Sequence, residues 1–358
     1  MLAAAIGIAC ARFLGNATYG NITAAIAIAG LFSRLISGGL GPPTIREIRS
    51  TNTKPEKGSW ETAAKHEIIR NCAVWIPICL GLALTLQGEL GWALAACAPG
   101  LAANFADPRG WRLQASLDKR REIIPDRIGQ AANGIARLSL IASNAPGWLF
   151  AAGTSVGAWT RAILLTKMTR ELHKGKPDPD KQKVLRKASL KLLGACLSKY
   201  GIATAPLLAL TAISPAAAGD FWAATRLTAF AALPMTLYYQ SANSEILGGR
   251  KSQTHILRAL ATSTICAAAL AVFGPMATTL LYGPEFSGAA ACTAILALGI
   301  AAAGPGSLIE SQLIYKGLEA LVTKIAWLAG AAGTTIALTT WAAYPENPAL
   351  AGAVAIAA

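Results

Sequence analysis

The sequence predicts an all-α polytopic membrane protein with about twelve transmembrane helices in two six-helix lobes, and three observations carry that prediction. Only 14% of the 358 residues are charged, against the roughly 25% usual in soluble domains, and the mean hydropathy is +0.45. Apolar runs of about 20 residues, the length that crosses a hydrocarbon core, recur from end to end. The runs lack period-two alternation and are rich in Ala and Leu, so backbone groups that lipid cannot satisfy are closed inside helices rather than in a barrel.

The first run, residues 1–13, is too short to span, and a turn over residues 11–20 follows it. The second run covers 20–40 and ends at Pro42 and Pro43, ahead of Arg46, Arg49, Lys54, Lys57 and Lys65. The third run, 66–86, meets the fourth through residues 87–90, which hold no Lys or Arg. The fourth ends near Ala106, before a second basic loop with Arg109, Arg112, Lys119, Arg120, Arg121 and Arg127. Runs 123–143 and 147–166 are joined by Asn144, Ala145 and Pro146. Then comes the most charged stretch of the chain, 167–191, read as a water-exposed linker in which Asp178 and Asp180 form a solvated hinge between prolines.

The second half repeats the rhythm with runs at 189–212, 220–240, 256–282, 287–305, 321–344 and 349–358. Its loops alternate too: 214–219, 283–286 and 345–348 carry no Lys or Arg, whereas the others hold Arg250, Lys251, Arg258, Lys316 and Lys324. Every second loop is therefore basic, which places those loops, both termini and the linker on the cytoplasmic side. The expected organisation is an N-terminal lobe at 1–170, a basic cytoplasmic linker at 171–188 and a C-terminal lobe at 189–358. The first and last helices read as incomplete, and no cleavable signal peptide is evident. A weak echo between residues 17–25 and 218–226 fits two related bundles.

Composition also excludes classes. The net charge of +14 falls in regularly spaced loops rather than one patch, which argues against nucleic acid. Seven cysteines, all in apolar runs and without a CxxC pair, read as small buried residues, and the three histidines form no metal set. No carboxylate pair at depth, Ser-His-Asp candidate or P-loop is found, so an enzyme is not expected.

Five cations fall inside apolar runs: Arg34, Arg137, Arg161, Lys199 and Arg226. Arg34, Arg137 and Arg161 lie near the ends of their runs, within snorkelling reach of water. Lys199 and Arg226 sit about ten residues in, roughly 15 Å deep at the helical rise, where a cation costs on the order of 3 kcal/mol. No acidic residue is expected at comparable depth, so these two predict a wet cationic cavity that attracts a phosphate, pyrophosphate or carboxylate.

Several segments, in order along residues 10–320, resemble bacterial polysaccharide flippases. They are Ala11–Gly15 (ARFLG) with Tyr19 and Gly20, Gly39–Glu47 (GLGPPTIRE), Asp107–Ala115 (DPRGWRLQA) with Lys119, Ser214–Phe221 (SPAAAGDF) and Leu280–Phe286 (LLYGPEF). The chain is thus similar to the O-antigen and teichoic-acid type flippases of the multidrug/oligosaccharidyl-lipid/polysaccharide exporter superfamily. That resemblance implies a multidrug-exporter-like fold, alternating access, a monomer among the lipids of the bacterial inner membrane, and a polyprenyl-pyrophosphate-linked oligosaccharide as cargo. It implies that the pyrophosphate meets Lys199 and Arg226, helped by Arg34, Arg137 and Arg161, and that Arg46 and Glu47 act at a cytoplasmic gate. Where the family carries a charged pair after the tyrosine of the seventh helix, this chain has Gly201, Ile202 and Ala203, so no coupling ion, H+ or Na+, is assigned there and no other cofactor is expected. The family is also longer. The alternatives are a small-molecule exporter of the same fold, a membrane-embedded glycosyltransferase or ligase, whose large outer loops are missing here, and an inactive fragment.

Overall fold

Helix starts follow local chemistry. Pro42 and Pro55 occupy first-turn positions, where a missing N–H costs nothing. Asp118 accepts from the amide of Arg121, Ser214 from that of Ala217, and Asp178 from those of Asp180 and Lys181, each closing orphan donors at a helix N-terminus. A computed structural model describes residues 2–116, 118–172, 175–247, 252–315 and 318–343, with 349, 353 and 354. Among them all regular structure is helical. The first seven helices are α1 (Leu2–Ser37), α2 (Gly41–Ser50), α3 (Lys54–Thr85), α4 (Gly88–Ala102), α5 (Asp107–Ala115), α6 (Lys119–Ala142) and α7 (Ala152–Met168). The others are α8 (Pro179–Ile213), α9 (Pro215–Ala231), α10 (Leu233–Leu247), α11 (Ser252–Tyr282), α12 (Ser287–Tyr315) and α13 (Glu319–Ala343). His173, the loop cations Arg250, Lys251 and Lys316, the loop 345–348 and most of the run after Ala349 lie outside the described residues.

Four stretches are long and apolar enough to cross a membrane by composition alone: Ile6–Ser50, Lys54–Thr85, Gln253–Tyr282 and Pro284–Ile309. Helices such as α6 and α8 fall short of that measure because they carry polar side chains along one face or charged first turns.

Contacts divide the chain into two compact units, Ala25–Leu197 and Ala3–Ala24 with Ser198–Ala358. This partition does not coincide with the 1–170 and 189–358 lobes read from loop charge: α1 and α8 each contribute to both units.

Three expectations are corrected. The first two runs are separate helical segments within α1, as expected, but the break between them is a kink at the single residue Gly15, whose φ of 73° is open to glycine, rather than a turn of ten residues. The eighth run is broken between α9 and α10 at Ala232, beside Pro234. The central linker is solvated, with Asp180 exposed, but it is not a hinge: α8 begins at Pro179, inside it, and its first turns lie along the polar start of α3. Ser59 and Thr62 donate to the carbonyls of Lys176 and Gly175, Gln182 meets His66 at 3.1 Å, and Lys181 stands 5.1 Å above the Trp60 ring. Hydropathy locates membrane runs and is blind to helices that continue into water.

Within Ala25–Leu197, the 3-10 turn Ala103–Ala106, α5 and α7 close a core of Ala103, Ala106, Leu113, Ala162 and Leu165. Gly41 of α2 faces the Trp111 indole of α5, so a methyl there would lie 3.2 Å from the ring. Two of the motif segments thereby meet. In the other unit α11 and α12 pack around Cys266, Leu270, Ala297 and Ile300, with Thr278 and Thr293 hydroxyls 3.1 Å apart. There α1 and α9 approach through Gly20 and Gly219: a methyl on Gly20 would run into the Pro215 carbonyl, and one on Gly219 into that of Asn16. Arg12 donates to the Leu280 carbonyl at 2.6 Å and Asn16 to that of Glu285 at 3.0 Å, tying α1 to the turn before α12.

Candidate functional site

The polar groups of Ala25–Leu197 begin with two carboxylates on α3, Glu67 buried and Glu61 partly buried. Glu67, 3% exposed, is held by Arg70 at 2.6 Å and by Arg186 of α8 at 2.9 Å. Glu61 is held by Arg112 at 2.7 Å, with Arg109 at 3.9 Å. These pairs fasten α3 to its neighbours α5 and α8, and they account for several cations of the basic loops.

Deeper in, α6 carries Asp126, Gln130, Asn133 and Arg137 at spacings of four, three and four, which puts them on one face. α7 presents Arg161, Gly157, Thr154 and Gly153 to that face. The two backbones touch: a methyl on Gly129 would stand 2.7 Å from the Gly157 carbonyl and one on Gly157 2.8 Å from that of Gly129. Beside this crossing lies a groove of about 220 Å³ lined by Asp126, Gly129, Gln130, Asn133, Thr154, Gly157, Ala158 and Arg161. At its floor Arg161 bridges two carboxylates, donating through Nη1 to Asp107 at 2.5 Å and through Nε to Asp126. Gly110 of α5 leaves room for the guanidinium. The Asn133 Oδ1 is buried without a hydrogen-bond partner among the described residues.

The expectation that Arg161 reaches water by snorkelling is thus corrected. Asp107 opens α5 and Asp126 stands in the second turn of α6, and both are engaged by Arg161. Arg161 is ion-paired rather than snorkelling. Arg34 is exposed on α1, near enough to Asp107 to act on its charge. Arg137 is half-buried against Gly153. Arg46 and Glu47 are neighbours on α2, 3.3 Å apart, with Arg46 70% exposed. Counting cations alone passes over the α6 ladder, although its four-three-four spacing is visible in the sequence.

In the other unit Arg226 lies in the third turn of α9, exposed, with its guanidinium 4.8 Å from the Trp222 ring. No carboxylate is paired with it among the described contacts. Lys199 lies in α8, and its side chain falls outside the described residues. Asp220 sits in the second turn of α9 with its Oδ1 buried and without a hydrogen-bond partner. No group of three or more His, Cys, Asp or Glu residues able to hold a metal occurs among the described residues.

No protein-family model and no curated protein matches the sequence. Solved structures do match the fold. A multidrug resistance MATE family transporter of the MOP superfamily, in an inward-facing conformation, superposes with a TM-score of 0.78 at 14% identity, over 99% of this chain and 90% of that one. The lipid II flippase MurJ, inward closed, gives 0.77 at 12% identity, over 99% and 83%. A MOP superfamily transporter from Pyrococcus furiosus gives 0.61 at 14% identity, over 99% and 90%. The chain therefore has the all-α polytopic fold of these membrane transporters.

Proposed function

We propose that the protein is an alternating-access flippase that moves a polyprenyl-pyrophosphate-linked oligosaccharide across the inner membrane, with its termini and residues 171–188 in the cytoplasm. The observation that carries this reading is a contrast between two cations of the apolar runs. Arg161 is engaged by two carboxylates, whereas Arg226, well inside α9, has an aromatic ring for a neighbour and no described carboxylate. A cation kept at such depth without an acid is suited to an anionic headgroup. Lys199, about as deep on α8, is its proposed companion; Arg34 and Arg137, within Ala25–Leu197, are separate candidate contacts for an anion, and Arg46 and Glu47 are proposed at the cytoplasmic entrance. The likeness to the lipid II flippase supports a lipid-linked cargo.

A second reading, export of small cationic compounds, is favoured by the likeness to the multidrug transporter and by Asp220, whose buried oxygen offers an open acceptor. On either reading Asp220 is the proposed place for a coupling H+ or Na+. Reconstituted proteoliposomes separate the two. Flipping of a fluorescent polyprenyl-pyrophosphate oligosaccharide is expected, and Lys199→Ala or Arg226→Ala should cut it more than tenfold, about 1.4 kcal/mol or more in the transport barrier. Accumulation of ethidium with no lipid flipping would establish the exporter instead.

A further inference from the structure

The α6–α7 hairpin changes from apolar to cationic at one level, and it does so on both helices. On α6, at 3.6 residues per turn, Arg120, Arg121, Arg127, Ile128, Ile135 and Leu138 fall within one arc of about 120°. All six are exposed, Ile135 the most among the apolar ones at 63%. Glu122 and Asp126, four apart, lie on the opposite side of the helix, where Asp126 meets Arg161 of α7. On α7 a second exposed stripe runs through Val156, Trp159 and Ile163 and then turns to Lys167 and Arg170. The crossing brings Asp126 to Arg161 and Gly129 to Gly157, so Arg120 stands level with Lys167. We propose that this collar is a binding site for an acidic phospholipid, whose phosphate sits between Arg120 and Arg127 and whose acyl chains lie along Ile128, Ile135 and Leu138. The site serves either cargo reading equally.

Each part of the arc narrows the ligand. Ile128, Ile135 and Leu138 offer no group that could hold water, which suits acyl chains rather than an aqueous channel. Arg120 and Arg127 are seven residues apart, two turns or about 10.5 Å along the axis. Arg127 comes just before Ile128, at the start of the apolar stretch, and gains by reaching back toward the headgroup layer. One guanidinium reaching in and another reaching out converge on a single phosphate, whose oxygens match the planar fork of arginine. Among the described residues Arg120, Lys167 and Arg170 form no ion pair, and Arg127 meets the neutral Gln130 at 3.5 Å. Arg121 is paired with the partly exposed Asp118 at 3.5 Å, so the amine of a zwitterionic headgroup would find one shared acid against a surplus of cations. An acidic headgroup carries no such amine, and that decides between the two kinds of lipid. A soluble phosphate would leave the apolar half of the arc uncovered.

Native mass spectrometry of the full-length protein in detergent tests the site, with phosphatidylglycerol and phosphatidylcholine of matched chains. Wild type should hold phosphatidylglycerol roughly tenfold more tightly, the scale of two arginines against an acidic headgroup. Arg120→Gln together with Arg127→Gln should bring the two lipids within about twofold of each other. Lys183→Gln, exposed at the start of α8, should keep the preference. Should the double variant fail to fold, judged by thermal unfolding, Arg127→Gln alone should remove most of it. Equal retention of both lipids by wild type overturns the proposal, as does a preference that survives loss of both arginines. Displacement of the lipid by soluble glycerol phosphate at equal concentration also overturns it, since the acyl chains would then contribute nothing. A dimer mass that excludes lipid would give the arc to a second copy of the chain and refutes it. Bilayers test the position of the arc. A spin label at Ile135→Cys, read against the wild-type background, should relax faster with oxygen than with a water-soluble nickel chelate; the reverse order would set the arc against water and overturn the proposal.

Discussion

The two units solve the same problem, packing helices in a solvent without water, by different means. In Ala25–Leu197 the described helices are fastened by ion pairs, with Glu61, Glu67, Asp107 and Asp126 each engaged by arginine from a neighbouring element. In Ala3–Ala24 with Ser198–Ala358 the described fastenings are glycine crossings and hydroxyl or side-chain bonds to backbone: Gly20 on α9, Ser263 on the Ala301 carbonyl, Arg12 on that of Leu280. The difference teaches how to read a membrane cation. In the first unit Arg161 is engaged by two carboxylates, whereas in the second the described neighbour of Arg226 is the Trp222 ring.

The sharpest way to break this comparison is Arg161→Ala. Removing one guanidinium leaves the buried Asp107 and the half-exposed Asp126 without their shared partner, and the expected loss is about 2–3 kcal/mol, below the roughly 3–5 kcal/mol of a fully buried pair, read as a fall in thermal unfolding temperature and in yield. Adding Asp107→Asn and Asp126→Asn to that variant should restore most of the loss, because the penalty comes from uncompensated charge rather than missing contacts. A mild effect of Arg161→Ala alone would mean that the groove floor is wet and that its ion pairs hold little.

The counterpart in the other unit is Gly20→Ala. Its methyl would meet the Pro215 carbonyl and the Gly219 backbone, so α1 and α9 must part. Overpacking of this kind costs about 1–3 kcal/mol, and thermal unfolding should report a loss that added salt leaves unchanged. A salt-dependent loss would show that charge holds this unit too.

Much of the fold was legible because hydropathy and loop charge are local properties: each run declares itself within about 20 residues. What was missed is what is not local. Arg161 is plain in the sequence, but its partners lie 54 and 35 positions away at Asp107 and Asp126, and no periodicity links them. The docking of α8 on α3 joins Arg186 to Glu67 across 119 positions, within segments whose charge reads as loop. The joining of the first two runs turned on Gly15, where one residue absorbs a break that composition assigns to ten. The α6 ladder was local and could have been found, had acids and amides been plotted with the cations.

The smallest expected effect sharpens the comparison most economically. Lys183 and Asp180 stand 3.5 Å apart at the start of α8, in the charge-fastened unit, yet they are 77% and 91% exposed. Lys183→Ala should change stability by no more than about 0.5 kcal/mol, since water and salt screen such a pair and two long side chains must be held to form it. The distinction is between charge and buried charge: Arg161 matters because Asp107 loses water when the helices close, and Lys183 does not because Asp180 never does. A loss on Lys183→Ala approaching that of Arg161→Ala would mean that the unit is stabilised by its surface field as a whole, and the reading of individual buried pairs as its fastenings would fall with it.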